Sequence, residues 1–451
     1  MFYFKSYYCI GCIQKKVIKK EKGCLFSKMS KIPAGYIKPK VGIIYSDVNN
    51  DSNESKNLAF YLCGHLVSTG YSEVVLVSHN IDNSYDNNLN KSRINYIPGG
   101  NINAKPIEAP SSDISYGNYS ALEICHIIIV TVNSNDTESC VSKLDEVVQT
   151  KPNMTLFSIQ RGVKNACVLK EKLNGKSGAV VMDCVCGFAV VPHPKNGSLV
   201  STFKYPKIVM ERMSKEVFKV ADGPCRLIES VNGIEVTFKK ILTPFSWGVL
   251  VYENLHALNA LHRGTLISTF NDYECRCILA TMTRECRKAL EKAAGSGKWL
   301  PDLFLITSIS FVDLWVYEII LVLPLFLGSF LLWICGISPS QVISPIQLDL
   351  NERRKTMIEY HLAELVSTGT RYNVAMPVTA AVLMKLEEAE KATEPRSLAA
   401  NYMKDIREAT FLENGNRKTL LSFLELRFWT FRLVTLLSIL LLLYFLFIHD
   451  D

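Results

Sequence analysis

The sequence predicts an α/β N-terminal domain of Rossmann type, an all-α C-terminal domain and a C-terminal transmembrane helix. Three observations carry this reading. Short apolar runs alternate with helically spaced segments over the first half of the chain, the period turns helical from Trp247 onward, and an almost uncharged run fills 433–448. At 451 residues the chain is long enough for two or three domains. Its 48% hydrophobic and 21% charged residues make a core-forming composition.

The elements follow in order. Residues 41–45 are an apolar run and the first candidate strand. Over 55–69, Leu58, Tyr61, Leu62 and Leu66 recur at helical spacing, Gly70 is the stop, and 73–78 (EVVLVS) is the second strand. That is a β-loop-α-β unit. A polar stretch follows between His79 and Ser92. Residues 124–132 (ICHIIIVTV) read as a buried strand, 136–150 as a helix, 154–159 as a strand and 178–191 (GAVVMDCVCGFAVV) as another. Residues 275–294 form an amphipathic helix. The domain reading is a basic, disordered extension over 1–39, the Rossmann-like domain over 40–240, the helical domain over 241–395, a linker or helix over 396–427 and the anchor over 428–448.

The formal charge is +7, and ten lysines fall within the first 40 residues. That basicity lies on a tail and not on a folded face with interleaved aromatics, so no nucleic-acid partner is expected. The tail is not a signal peptide, because its few apolar residues precede its charges. Fourteen cysteines show no regular framework. Cys9 and Cys12 form a C-x-x-C with no second pair at zinc-finger spacing. Cys184 and Cys186 would share one strand face, and Cys275 and Cys277 are equally close. They read as buried, reduced thiols, and no metal site is expected.

Two apolar segments bear on the membrane. Residues 319–337 are uncharged over 19 positions but hold Pro324, Gly328 and Gly336. They read as a core helix, with a second span as the alternative. Residues 428–448 approach the length needed to cross a hydrocarbon core. Trp429 suits an interfacial belt, and Arg417, Lys418, Arg427 and Arg432 stand before or at the start of the run. The expectation is a single-pass anchor with the body in the cytosol.

Several motifs then line up with one family. Residues 247–261 read WGVLVYENLHALNAL, 160–165 read QRGVKN, and 348–376 read LDLNERRKTMIEYHLAELVSTGTRYNVAM. With the strand at 178–191 and the first β-loop-α-β unit, these resemble the ketopantoate reductases (2-dehydropantoate 2-reductases), in order, from about Lys40 to about Glu390. The resemblance implies a helical domain like that of 6-phosphogluconate dehydrogenase. It also implies NADP(H) as cofactor and, where activity survives, an oxidoreductase of pantothenate biosynthesis. Residues that support the fold persist, among them Gly70, Gly162, Phe188, Trp247, Thr356, Tyr360 and Pro377. Glu285 stands where the family usually has a glutamate.

The chemistry-bearing positions are replaced. By the resemblance, the lysine that meets the substrate carbonyl is Val249, the first asparagine is Glu253, and the serine and glutamate that hold the substrate are Pro345 and Met357. Asn259 is retained, and a buried asparagine bonding backbone would explain it as well. On the cofactor side, the place of the glycine loop begins at Tyr45 and Ser46 and reads YSDVNNDSNESKN, with no glycine. Asp47, Asp51 and Glu54 put negative charge where a phosphate would sit, while Ser46 or Ser52 suits a helix cap. His79 stands where an arginine often meets the 2′-phosphate and is expected to be solvent-exposed. Asn133 replaces a lysine, Arg161 an asparagine and Ala189 another asparagine. Glu253 and His256, with Glu359 and His361 nearby, could do acid–base work; an ordinary surface pair is the plainer reading. The expectation is a pseudoenzyme without a cofactor, a membrane-held binding or scaffold protein. The alternative is an active NADPH-dependent reductase with a rearranged site. No protein partner can be named, and a homodimer stays open.

Overall fold

The computed structural model describes residues 38–47, 52–70, 72–80, 93–98, 103–203, 206–212, 223–229, 233–295, 301–303, 314–323, 341–392 and 405–406. The chain opens with β1 (Lys40–Tyr45), α1 (Glu54–Ser68) and β2 (Glu73–Ser78). Each strand is buried along its centre, because it lies inside a parallel sheet with helices on both faces. Gly70 turns the chain between α1 and β2 at φ +73°, a conformation that favours glycine. Next come β3 (Asn95–Ile97), β4 (Ile107–Glu108), β5 (Ile114–Gly117), β6 (Ile127–Val130), α2 (Thr137–Thr150), β7 (Thr155–Ser158), α3 (Asn165–Leu173), β8 (Val180–Cys186), β9 (Val190–Pro192), β10 (Leu199–Ser201), β11 (Lys207–Glu211) and β12 (Glu235–Lys239).

The large sheet runs β12-β11-β8-β7-β6-β1-β2-β5. From β5 to β8 every pairing is parallel. Among themselves these six strands stand in the order 3-2-1-4-5-6, the doubly wound Rossmann arrangement. The direction of winding reverses between β1 and β6, and that switch point is where such sheets bind ligands. A small second sheet, β4-β3-β10-β9, covers α1.

The helical domain comprises α4 (Thr243–His262), α5 (Leu266–Asn271), α6 (Tyr273–Ala294), α7 (Leu314–Val322), α8 (Pro345–Asn351), α9 (Ile358–Arg371) and α10 (Pro377–Lys391). Helix α4 is its axis. From Gly248 to Leu261 every residue is buried, so this helix has no polar face and is enclosed on all sides. Glu285 on α6 fixes α10 against it. Its carboxylate accepts the Val378 and Thr379 N–H groups at 3.0 and 2.9 Å and the Thr379 hydroxyl at 2.6 Å, capping the start of α10. One apolar cluster runs from α1 and the upper face of the sheet through α4 into the helical domain; a second lies under the sheet, beneath α2 and α3.

Several expectations change. The run at 178–191 is two strands. Cys186 ends β8, and the chain turns at Gly187 and Phe188 so that β9 joins the small sheet, with Ala189 N–H donating to Thr202 Oγ1 at 3.0 Å. The strand expected over 124–132 is confined to β6, because a 3-10 turn occupies Tyr119–Ile124. The small sheet went unread, since strands of two or three residues carry no period. The extension over 1–39 lies outside the described residues up to 37, and the anchor over 428–448 lies outside them entirely. Among the described residues no helix is long and apolar enough to cross a membrane. Of the segment 319–337 only the part to residue 323 is described; there Ile320 and Leu321 are buried and Ile319 is exposed, and the rest of the segment lies outside the described residues. Tyr317, Ile320 and Leu321 are buried in the helical-domain cluster, and Glu318 pairs with Arg284 and Arg287 at 2.6 and 3.2 Å.

Candidate functional site

The switch point of the sheet faces the helical domain, and the cleft between them collects most of the positions singled out above. Tyr45 ends β1, is fully buried, and meets the Phe60 ring edge-on. The next residue ties the loop down. Ser46 N–H donates to Ser55 Oγ at 2.8 Å, Asn133 N–H donates to Ser46 Oγ at 2.9 Å, and the Ser46 hydroxyl donates to Asp136 at 2.5 Å. Asn133 Nδ2 donates to Ser52 O at 3.2 Å. Asp47 is neutralised by Lys56 at 2.9 Å.

The N-terminus of α1 is where a Rossmann sheet presents N–H groups to phosphate. Here that end is already served by carboxylates. Asn53 is the N-cap residue, but its side chain makes no cap bond; Ser52 Oγ accepts the Glu54 N–H at 3.2 Å. Asp349, reaching in from α8, accepts from the Ser52 side chain and from the Asn53 N–H. Burial pushes the Asp349 carboxyl up to about 6, against these bonds and Arg354 at 3.2 Å. Glu54 lies in the first turn of α1 and is buried.

Arg161 sits at the centre of the cleft. Its guanidinium pairs with Glu54 of the sheet domain through one nitrogen and with Glu253 of α4 through another. All three side chains are at least nine-tenths buried. Burial lowers Arg161 only to about 10, so it stays a cation at neutral pH. It sits in a loop opened by Gly162, whose φ of +112° favours glycine. Asn165 holds that loop by donating to Arg161 O at 2.7 Å. Gln160 buttresses it from below, donating to Thr137 Oγ1 at 2.8 Å.

Glu253 also has two histidine neighbours. His256 Nδ1 lies 3.0 Å and His361 Nδ1 3.9 Å from its second oxygen. Burial and then the Arg161 charge hold both imidazoles well below the usual histidine range, so both are neutral. Neither ring has an aligned hydrogen-bond partner among the described residues. The plain surface pair expected for Glu253 and His256 is therefore overturned, because enclosure of α4 puts both inside. Glu359 stays apart on the surface with Lys355.

Two small cavities flank Arg161. One, lined among others by Asp183, Cys186, Val249, Glu253 and His361, gives the centre of a water-sized sphere about 20 Å³. The other, lined by Glu54, Thr131, Asn133, Arg161 and Met357, gives it about 10 Å³. Each volume is on the order of one water's need. Val249, Glu253, Met357, Asn133 and Arg161 are thus brought together around one guanidinium. Asn259 and Pro345 do not line either cavity. Asn259 is buried and wholly engaged in backbone and hydroxyl bonds, accepting from Ser344 N–H at 2.9 Å and donating to Gly264 O and Thr269 Oγ1. Pro345 begins α8 behind its cap Ser344. Nor is His79 exposed as expected. It is buried between Tyr119 at 2.6 Å and Ser139 at 2.8 Å, because α2 and the 3-10 turn close over the end of β2.

Sequence reasoning missed two carboxyls. Asp349 falls inside the motif at 348–376, where nothing in the spacing shows that it reaches the start of α1. Asp183 lines the larger cavity, pushed up to about 6 by burial, with Lys170 opposing and Glu211 adding to the shift. Its signal was present: it is the single charge inside GAVVMDCVCGFAVV.

Comparison with solved structures places this architecture. A ketopantoate reductase of the PanE/ApbA family from Ralstonia eutropha JMP134 superposes with a TM-score of 0.54 at 16% identity, covering 78% of this chain and 98% of that one. The fold is that of the ketopantoate reductases. A 2-dehydropantoate 2-reductase from Geobacter metallireducens GS-15 matches at 0.51 and 15%, over 78% and 99% of the two chains. The D-mandelate dehydrogenase of a ternary complex with NADH and anilino(oxo)acetate matches at 0.54 and 12%, over 78% and 98%. No protein-family model and no curated protein matches the sequence. On this ketopantoate reductase fold, the cleft between the domains holds an internal ion cluster.

Proposed function

We propose that this chain is a divergent member of the ketopantoate reductase family that has lost the reaction and serves as a binding or scaffold module. The observation that carries the reading is the Glu54–Arg161–Glu253 cluster, which joins the two domains across the place a nucleotide and its substrate would share. Small-molecule sites enclose roughly 300–1,000 Å³, whereas the two cavities here are water-sized. Opening the cleft would part a buried ion pair, which costs about 3–5 kcal/mol when one partner is left bare. Among the described residues the same region offers no uncommitted cationic donor for the oxygen of a ketone under hydride attack, because Val249 stands there and Arg161 is consumed by two carboxylates. The apolar run at 428–448 supports a membrane-held form with the body in the cytosol; a carbonate-resistant membrane fraction of the full chain checks that part.

The decisive experiment is a titration of the purified full chain with NADPH and ketopantoate, followed by thermal shift and by NADPH absorbance. No shift is expected below about millimolar NADPH, since ligand stabilisation grows only above the dissociation constant. Ketopantoate-dependent NADPH oxidation would overturn the reading in favour of an active reductase with a rearranged site.

A further inference from the structure

The turn between α4 and α6 gathers side chains that the cleft does not use. His262 ends α4, Asp272 caps α6, and Cys275 lies in the first turn of α6. One ligand-capable atom from each lies within 4.8 Å of the others. His262 Nε2 stands 3.7 Å from Asp272 Oδ2. We propose that His262, Asp272 and Cys275 form a structural site for a zinc-class divalent ion, which clips the end of α4 to the start of α6 with water as a fourth ligand.

Proton accounting supports this assignment. Asn259 Nδ2 donates one hydrogen to Gly264 O at 3.0 Å and the other to Thr269 Oγ1 at 2.8 Å. The Thr269 hydroxyl has a single proton of its own and two further neighbours, Thr265 O at 3.2 Å and His262 Nδ1 at 3.0 Å. A carbonyl can only accept, so the arrangement that satisfies both neighbours gives the hydroxyl proton to Thr265 O. His262 Nδ1 then carries the ring hydrogen and donates it to Thr269 Oγ1. The lone pair of His262 is left on Nε2, facing the acceptor-only carboxylate of Asp272. In the neutral ring two acceptors then face one another, and either a proton on Nε2 or a metal cation between them resolves the repulsion. An imidazole whose far N–H is held by a fixed oxygen is the usual arrangement of a metal-ligating histidine.

The donor set defines the ion. A nitrogen, a carboxylate oxygen and a sulfur suit zinc, whereas magnesium and calcium take oxygen alone. Asp272 Oδ1 is occupied by the Cys275 N–H at 3.0 Å, which leaves Oδ2 toward His262. Cys275 supplies the sulfur from the first turn of α6 and would bind the ion as its thiolate. Carboxylate and thiolate together balance a divalent charge. Arg276 lies within the electrostatic reach of Asp272, but its Nη1 donates away to Leu323 O at 2.8 Å. The His262 and Asp272 side chains are 25% and 36% exposed, so the ion has a path in. On binding, the Cys275 thiol gives its proton to solvent and forms the metal–sulfur bond; nothing is oxidised or reduced.

The test uses the chelator-stripped full chain and cobalt(II) as the spectroscopic stand-in for zinc. One equivalent should produce a thiolate-to-cobalt charge-transfer band with tetrahedral visible absorption, and zinc should bleach both. The band should vanish in Cys275→Ser. His262→Gln should weaken cobalt binding at least about tenfold, and Thr269→Val about 10–100-fold, as expected when the group orienting a ligand is removed. Circular dichroism of each variant reports whether it has folded. The folded parent protein showing no sulfur-to-cobalt band overturns the proposal without any variant. So does a band that persists unchanged in Cys275→Ser, since it then arises from another thiol.

Discussion

The layer beneath the sheet and the cleft above it are both buried, yet they are built from opposite materials. Beneath the sheet, Val141, Leu144 and Val148 of α2 meet Ile128, Val130 and Leu156 in an apolar cluster. Such packing is non-directional and tolerates conservative exchange. In the cleft, one cation, two carboxylates and two neutral histidines share a similarly dry space. There the charged groups depend on particular partners, and a buried polar group left without one costs about 1–3 kcal/mol or more. One sequence can thus hold a fold by area and hold a domain interface by charge, and the two respond differently to mutation.

The largest effect should come from breaking the charge arrangement on one side. Arg161→Ala leaves Glu54 and Glu253 buried without their cation, and a loss of about 3–5 kcal/mol is expected in urea denaturation. Neutralising all three together, as Glu54→Gln, Arg161→Met and Glu253→Gln, should recover most of that loss. Failure to recover would mean that the cluster supplies more than its own mutual compensation. Leu144→Ala in the apolar layer gives the comparison, with a loss of about 2–5 kcal/mol and no partner substitution able to restore it.

Acid should separate the cleft's two kinds of titratable group. His256 and His361 are neutral in the folded chain and titrate near 6.5 when unfolded. Below that pH the unfolded state binds more protons, so their contribution to stability is present above about 6.5 and is lost as pH falls. Asp183 and Asp349 act in the opposite sense. Their folded values are about 6 against 3.8 unfolded, so between those limits the folded state binds more protons and acidification favours it. The pair His256→Gln and His361→Gln should therefore lose less stability than the parent on going from neutral pH to about pH 5. The pair Asp183→Asn and Asp349→Asn should lose more. Parallel urea curves at both pH values would reveal whether the histidines are in fact charged in the folded state.

The smallest expected effect is on catalysis. Val249→Lys restores a cation where the resemblance places one, and losing such an electrostatic group commonly costs about a hundred- to a thousand-fold in rate. Here the single change should yield no ketopantoate-dependent NADPH oxidation. Val249 faces a water-sized cavity, and Met357 and Pro345 still lack the substrate's other anchors. A measurable rate would show that the cleft opens more readily than its ion cluster suggests.

What the sequence determined by itself is what depends on local period and on residue type. Strand β2 falls on its expected bounds, β1, α1, α2 and α6 fall within a residue or two of theirs, and Glu54 was legible as an acid where a phosphate-binding turn would be glycine. Period survives in a single sequence because each face of an element meets one environment. Tertiary structure alone decided which charges meet. Glu54 and Arg161 are 107 residues apart, and Glu253 comes from the other domain. Nothing in the spacing of these residues links them, and the ion cluster exists only because folding brings the end of β7, the start of α1 and the middle of α4 to one point. The same holds for His79 and His256, which look like surface residues in the sequence and are enclosed by elements distant in the chain. Burial, and with it the protonation state of both the histidines beside Glu253, is a property of that assembly.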